Sequence, residues 1–220
     1  MDNYLLYIII ALFIILLYQT GHLNFNESTV CSNLDGACYK IINSFEKSSH
    51  KQAADELAKI NNFNAKFITY LRNKYLWDDN ALNSVSLHNA DMRAITENLI
   101  KNYNPNVLKE NNPESQTNTS YVLEKGASIA FCLREKNSGK NNFEDDQMII
   151  FVNLHEISHL AMNYHDPSHS QDFWKTFRLV AQAAADSGLY KPIDYRNHPS
   201  NYCGVHVDYN PIFDDSLNSS

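Results

Sequence analysis

No lysine or arginine precedes Lys40, no glutamate follows Glu156 and no methionine follows Met162 in this 220-residue chain. Each absence excludes something. The bare N-terminus lacks the basic n-region of a secretory signal, and it gives the positive-inside rule nothing to act on. Basic residues are also outnumbered overall: 18 Lys and Arg face 25 Asp and Glu, for a net charge of −7. Bulk electrostatic binding to nucleic acid needs a basic footprint, so nucleic acid is not an expected partner. Cysteine is sparse. Cys31, Cys38, Cys132 and Cys203 form no C-x-x-C pair, which argues against a cysteine-based zinc site. They can form disulfides in an oxidising compartment, but spacing does not fix the pairing. Cys132 reads as a small buried apolar residue of a strand. Internal repeats are lacking as well.

Apolar sequence is plentiful at the N-terminus. Residues 4–18 form an uninterrupted apolar run. It is short of the about 20 residues a bilayer span needs, although Tyr4, Tyr7 and Tyr18 suit the headgroup interface. An uncleaved transmembrane helix over residues 1–20 is expected, with a stalk over 21–46, a folded domain over 47–212 and a tail over 213–220. The rival is a cleaved signal peptide, for which Gln19-Thr20-Gly21-His22 is a poor cleavage site. The expected location is a single-pass membrane protein of a virion or host membrane. Asn26, Asn118 and Asn218 open N-x-[ST] triplets, which chance also supplies in so asparagine-rich a chain.

His155-Glu156-Ile157-Ser158-His159 carries the chemistry. On a helix, two histidines four apart stand one turn above the other on one face. Two imidazoles so placed can bind one Zn²⁺ at about 2.0–2.1 Å. Glu156 then reaches water at the metal rather than the metal, and can act as general base. Residues 147–162 are apolar nearly all round, which predicts a buried helix. Burying two histidines and a glutamate is costly unless they are paired or hold a metal. The bland alternative is a core helix whose polar trio satisfies itself.

A catalytic zinc takes three protein ligands, and His165, His169, His198 and His206 lie downstream. His165 has metzincin spacing, but Met162 stands where that pattern needs glycine, and no later Met-turn exists. The missing downstream glutamate excludes a thermolysin-like third ligand. An aspartate such as Asp186 stays formally open.

The sequence His169-Ser170-Gln171-Asp172-Phe173 reads as H-x-x-x-F opening a second helix. H-E-x-x-H, a short connection and H-x-x-x-F together resemble the WLM and SprT-like metallopeptidases. Residues 125–134 resemble the strand before the active-site helix in WLM-type domains. Residues 188–195, 201–204 and 210–211 are similar to a membrane-tethered WLM-like branch found in giant DNA viruses of eukaryotes. The resemblance covers about residues 60–212, with a longer loop between His159 and His169 than the family has. It implies an α+β, zincin-like domain in which a small sheet packs on the active-site helix. It further implies His155, His159 and His169 as zinc ligands and Glu156 as base, in an HExxH-x9-H site. His165 stays open as the third ligand.

Helices are expected over residues 48–75, as one or broken near Asn61-Asn62, and over 89–101. Residues 104–118 read as a polar loop, 121–123 and 128–133 as strands, and 136–142 as a turn. Asp145 or Asp146 can cap the active-site helix. Ser170 can cap the next, which ends before Gly188. Phe173, Trp174, Phe177 and Val180 read as core. After Pro192 the chain reads as a surface tail, from which Tyr195, Tyr202 or His206 could cover the site. The expected function is a zinc-dependent peptidase acting on a protein or peptide that pairs with the strand at 128–133. The alternative is a non-catalytic zinc-binding structural or interaction protein of a virion or membrane.

Overall fold

The computed structural model describes residues 2–19, 26–43, 45–78, 86–112, 119–136, 142–162 and 168–218. Five strands form one mixed sheet, and three long helices pack around a fourth that carries the H-E-x-x-H motif.

In the sheet, β1 (Glu27–Cys31) and β2 (Cys38–Ile42) form an antiparallel pair, with Cys31 opposite Cys38 and the two joined as a disulfide. β2 runs parallel to β3 (Leu108–Glu110), which runs parallel to β5 (Ser128–Phe131). β4 (Tyr121–Leu123) closes the order β1-β2-β3-β5-β4 as an antiparallel edge. Residues 27–31 and 38–42, within the expected stalk, are therefore sheet strands. β3 lies inside the expected loop at 104–118. Leu-Lys-Glu carries no strand signal by itself. It is fixed because Glu110 is buried and pairs with Arg134 at 2.6 Å, while accepting from the Ile42 amide at 3.0 Å.

Helix α2 (Lys47–Tyr75) buries Ala54, Leu57, Ala58, Phe67 and Leu71 at helical spacing. It does not break at Asn61-Asn62. Asn61 turns outward, donating to the Tyr39 hydroxyl at 3.2 Å and accepting from that of Tyr103 at 3.0 Å, so its side chain does not compete for its own backbone. Helix α3 (Leu87–Asn102) starts at Ser86, whose hydroxyl accepts from the Asn89 amide.

Helix α4 (Asp146–Ala161) carries the motif. Asp145 caps it, accepting from the amides of Gln147 and Met148. It touches α2, α3, β4 and the following α5 (Gln171–Asp186), which explains why nearly every face is apolar. The region after Pro192 is packed rather than loose. β6 (Ser200–Tyr202) and β7 (Val205–Val207) form a hairpin. The Arg178 guanidinium donates to the carbonyls of Pro211 and Asp214. Cys132 is buried as expected, but as half of a disulfide with Cys203 that ties the end of β5 to the hairpin.

The expected transmembrane helix is corrected. Helix α1 (Asp2–Gln19) forms, yet among the described residues no helix is long and apolar enough to cross a membrane. At about 1.5 Å per residue, residues 4–18 reach only about 22 Å, against a hydrocarbon core of about 30 Å. The expected single-pass anchoring is therefore not supported among the described residues.

Candidate metal centre

His155, Glu156 and His159 project from α4, the two histidines one turn apart with ring centroids separated by 5.2 Å. His169 comes from the segment before α5. Its backbone takes the left-handed region at φ 54, one residue before Ser170, whose hydroxyl caps that helix. That turn swings the imidazole back over α4. The Nε2 atoms of His155 and His169 stand 3.0 Å apart. Ligand atoms of His155, His159 and His169 all lie within 4.8 Å of one another. Two ligands at about 2.0–2.1 Å with tetrahedral angles stand about 3.3 Å apart, so this spacing fits a common metal position. The three histidines can hold a metal ion.

Phe173 is the wall behind them. Fully buried, it stacks on His159 at 4.3 Å and meets His155 at 4.9 Å and His169 at 4.7 Å edge-on. It leaves the rings few alternative orientations. Burial, then the neighbouring His159 and His169, press the His155 imidazole down to about 3, so it stays neutral with a lone pair to offer. Glu156 is buried beside it, and burial pushes its carboxyl up to about 8.

The helix is held from behind by amides that sequence reasoning did not single out. Asn98 and Asn102 of α3 donate to the carbonyls of Ala161 and Leu160, each at 2.8 Å, satisfying groups a helix end leaves unpaired. Asn64 and Asn153 exchange two hydrogen bonds, at 3.0 and 2.7 Å, across the buried α2–α4 contact. An Asn in an otherwise apolar buried helix was the available signal, since such a group needs a partner.

The other candidates separate clearly. Asp186 is at the far end of α5, beside Lys74 and outside the histidine cluster. His198 is exposed in a turn, its amide bonded to the Asp194 carbonyl. His165 lies outside the described residues. Of the three residues expected to cover the site, Tyr195 is buried against Phe151 at 4.9 Å. Tyr202 and His206 line the same cleft of about 340 Å³ as His155, Glu156 and His169. The Tyr202 proton is committed, however. Its hydroxyl donates to the Cys132 carbonyl at 2.7 Å and meets Ser120 Oγ at 2.6 Å, which in turn accepts from the Cys132 amide. This ring anchors the hairpin and leaves the Tyr202 hydroxyl without a spare proton to donate.

The strand at 128–133 is not available for a substrate. β5 is hydrogen-bonded on both sides, by β3 and by β4. Among the described residues β1 and β4 are the edges of the sheet, and Thr119 and Ser120 immediately before β4 line the cleft.

No family model matches the chain, and no solved structure matches it. The expected α+β class holds, with a mixed five-stranded sheet, while the finer zincin-like assignment is corrected because no zincin fold is identified. The chain is similar to uncharacterized protein R325 of Acanthamoeba polyphaga mimivirus, 37% identical over 101 residues, which are 46% of this chain and 49% of the relative. It is also similar to uncharacterized protein 136R of Invertebrate iridescent virus 6, 33% identical over 84 residues, or 38% and 44% of the two. The chain spans about half the length of the curated relatives it matches. Both relatives are viral, in line with the expected viral affinity, and neither name states an activity.

Proposed function

We propose that this chain is a zinc-dependent peptidase, of the kind the WLM and SprT-like motif resemblance implies. The supporting observation is the convergence of His155, His159 and His169 in one cluster, with His155, His169 and the buried carboxyl of Glu156 lining a cleft beside the edge strand β4. Three neutral imidazoles suit zinc among the divalent ions. Bound there, zinc would supply a Lewis acid for the scissile carbonyl and would lower the pKa of water towards about 7.

The chain's own residues do the rest. β4 pairs with an extended peptide through its free edge and lays the scissile bond across the cleft. Glu156 takes a proton from the attacking water and passes it to the leaving amine. Phe173 and Trp174 keep bulk water from the back of the histidines. A purely structural zinc site needs only the ligands. A buried polar carboxyl next to them is a cost that ligation alone does not require, and it favours the enzymatic reading over a non-catalytic scaffold.

The test is metal content and turnover of the purified full chain. About one zinc per chain is expected. Glu156→Gln should keep the zinc and lose about 10²–10⁴-fold in peptide cleavage. A chain without zinc, or a Glu156→Gln variant as fast as wild type, sinks the proposal.

A further inference from the structure

The cleft is small and mainly apolar, and one wall is a hairpin that the histidine motif does not require. Trp174, Phe177, Val205, Val207 and Tyr209 wall it next to His155 and His169. The aromatic part is braced: Tyr209 meets Trp174 edge-on at 5.2 Å, and its hydroxyl is held by Asp214 at 2.7 Å. The hairpin is fixed by the Cys132–Cys203 disulfide and by the Tyr202 ring of hydrogen bonds. Val205 remains 49% exposed on its lip, an apolar side chain without full cover. Among the described residues lining the cleft there is no lysine or arginine, while Glu156 and Asp208 supply carboxyls. Its volume of about 340 Å³ is at the small end of ligand pockets, which run from about 300 Å³. It suits one large side chain rather than several.

From this geometry we infer that the cleft selects peptides by a single large apolar or aromatic side chain, seated on Trp174, Phe177 and Val205 beside the histidine cluster. The inference rests on the peptidase reading for its site, and adds to it the class of substrate. An acidic side chain would face the Asp208 carboxyl on that wall, where no lysine or arginine stands among the described lining residues. A lysine would lose its hydration against aromatic and valine walls. A small residue would leave the walls wet.

The test uses the zinc-loaded full chain and Gly/Ser peptides identical except for one central residue: Phe, Leu, Ala, Lys or Asp. Binding is read by fluorescence anisotropy on Glu156→Gln, and cleavage by mass spectrometry on the wild type. Phe and Leu peptides should bind about 10–100-fold more tightly than Asp or Lys peptides. Cleavage should fall beside the varied residue. Val205→Asp should remove about tenfold of the preference, mainly through KM, and Val205→Leu should retain it. Cleavage without preference overturns the inference and leaves the peptidase reading intact. So does a preference unchanged in both Val205→Asp and Trp174→Ala. Apolar selection in binding without any wild-type cleavage overturns the peptidase reading and keeps the selectivity. Neither binding nor cleavage overturns both.

Discussion

His169 is the residue on which the metal centre turns, because it alone of the three comes from outside α4. Its left-handed backbone and the Ser170 cap aim it at His155. His169→Ala should lower zinc affinity by at least about tenfold, read by chelator competition, while His165→Ala should keep it. The reverse order would move the third ligand to His165. A second residue-scale effect concerns acid stability. Asp55 accepts from Ser32 Oγ at 2.6 Å and the Asn33 amide at 2.8 Å, and the Ser32 bond first of all holds its carboxyl below the ordinary 3.8. A depressed acid contributes its full stabilisation above its unfolded pKa and loses it as pH falls through the folded value. Urea midpoints should therefore fall below about pH 4 in the wild type, and less steeply in Asp55→Asn.

Among the elements, α4 depends on its neighbours for position. The Asn64–Asn153 pair fixes its register on α2. Asn153→Ala removes both hydrogen bonds that the buried Asn64 amide makes to it and should cost about 1–3 kcal/mol in denaturant unfolding. Replacing both by Leu should recover part of that loss. The turn between β4 and β5 is equally constrained. Gly126 has φ 101, and an added Cβ would stand 2.3 Å from the Asn102 carbonyl oxygen. Asn102 caps the end of α4, so Gly126→Ala strains the turn and disturbs that cap together. A loss of about 1–3 kcal/mol is expected, with weakened zinc binding beside it. The helices were legible because their apolar spacing and caps are local. Strand β3 was not, because its pairing energy comes from Arg134 and Ile42, distant in sequence.

Across the whole molecule, two disulfides act on different scales. Cys31–Cys38 closes 7 residues of one hairpin, while Cys132–Cys203 closes 71 and joins the sheet to the cleft wall. Loop-closure entropy grows with length, so removing the second should cost about 2–4 kcal/mol and removing the first less. Alanine pairs at each site, compared in denaturant with and without reductant, check the order. Equal losses would mean that the Cys132–Cys203 link does not govern the cohesion of sheet and hairpin.

By itself the sequence determined what is local. Histidines four apart share a helix face, Asp145 or Asp146 caps the active-site helix, with the structure choosing Asp145, Ser170 caps the next, and H-x-x-x-F marks the start of α5. The tertiary structure decided what depends on distance. It brought His169 to His155, paired Cys132 with Cys203, closed both sides of β5 and left β4 as an edge. It also folded the expected tail into the wall of the cleft. The apolar N-terminal run misled because apolarity without sufficient length does not make a span. Periodicity and capping are written in neighbouring residues, whereas pairing and convergence are settled by the free energy of packing segments far apart in the chain.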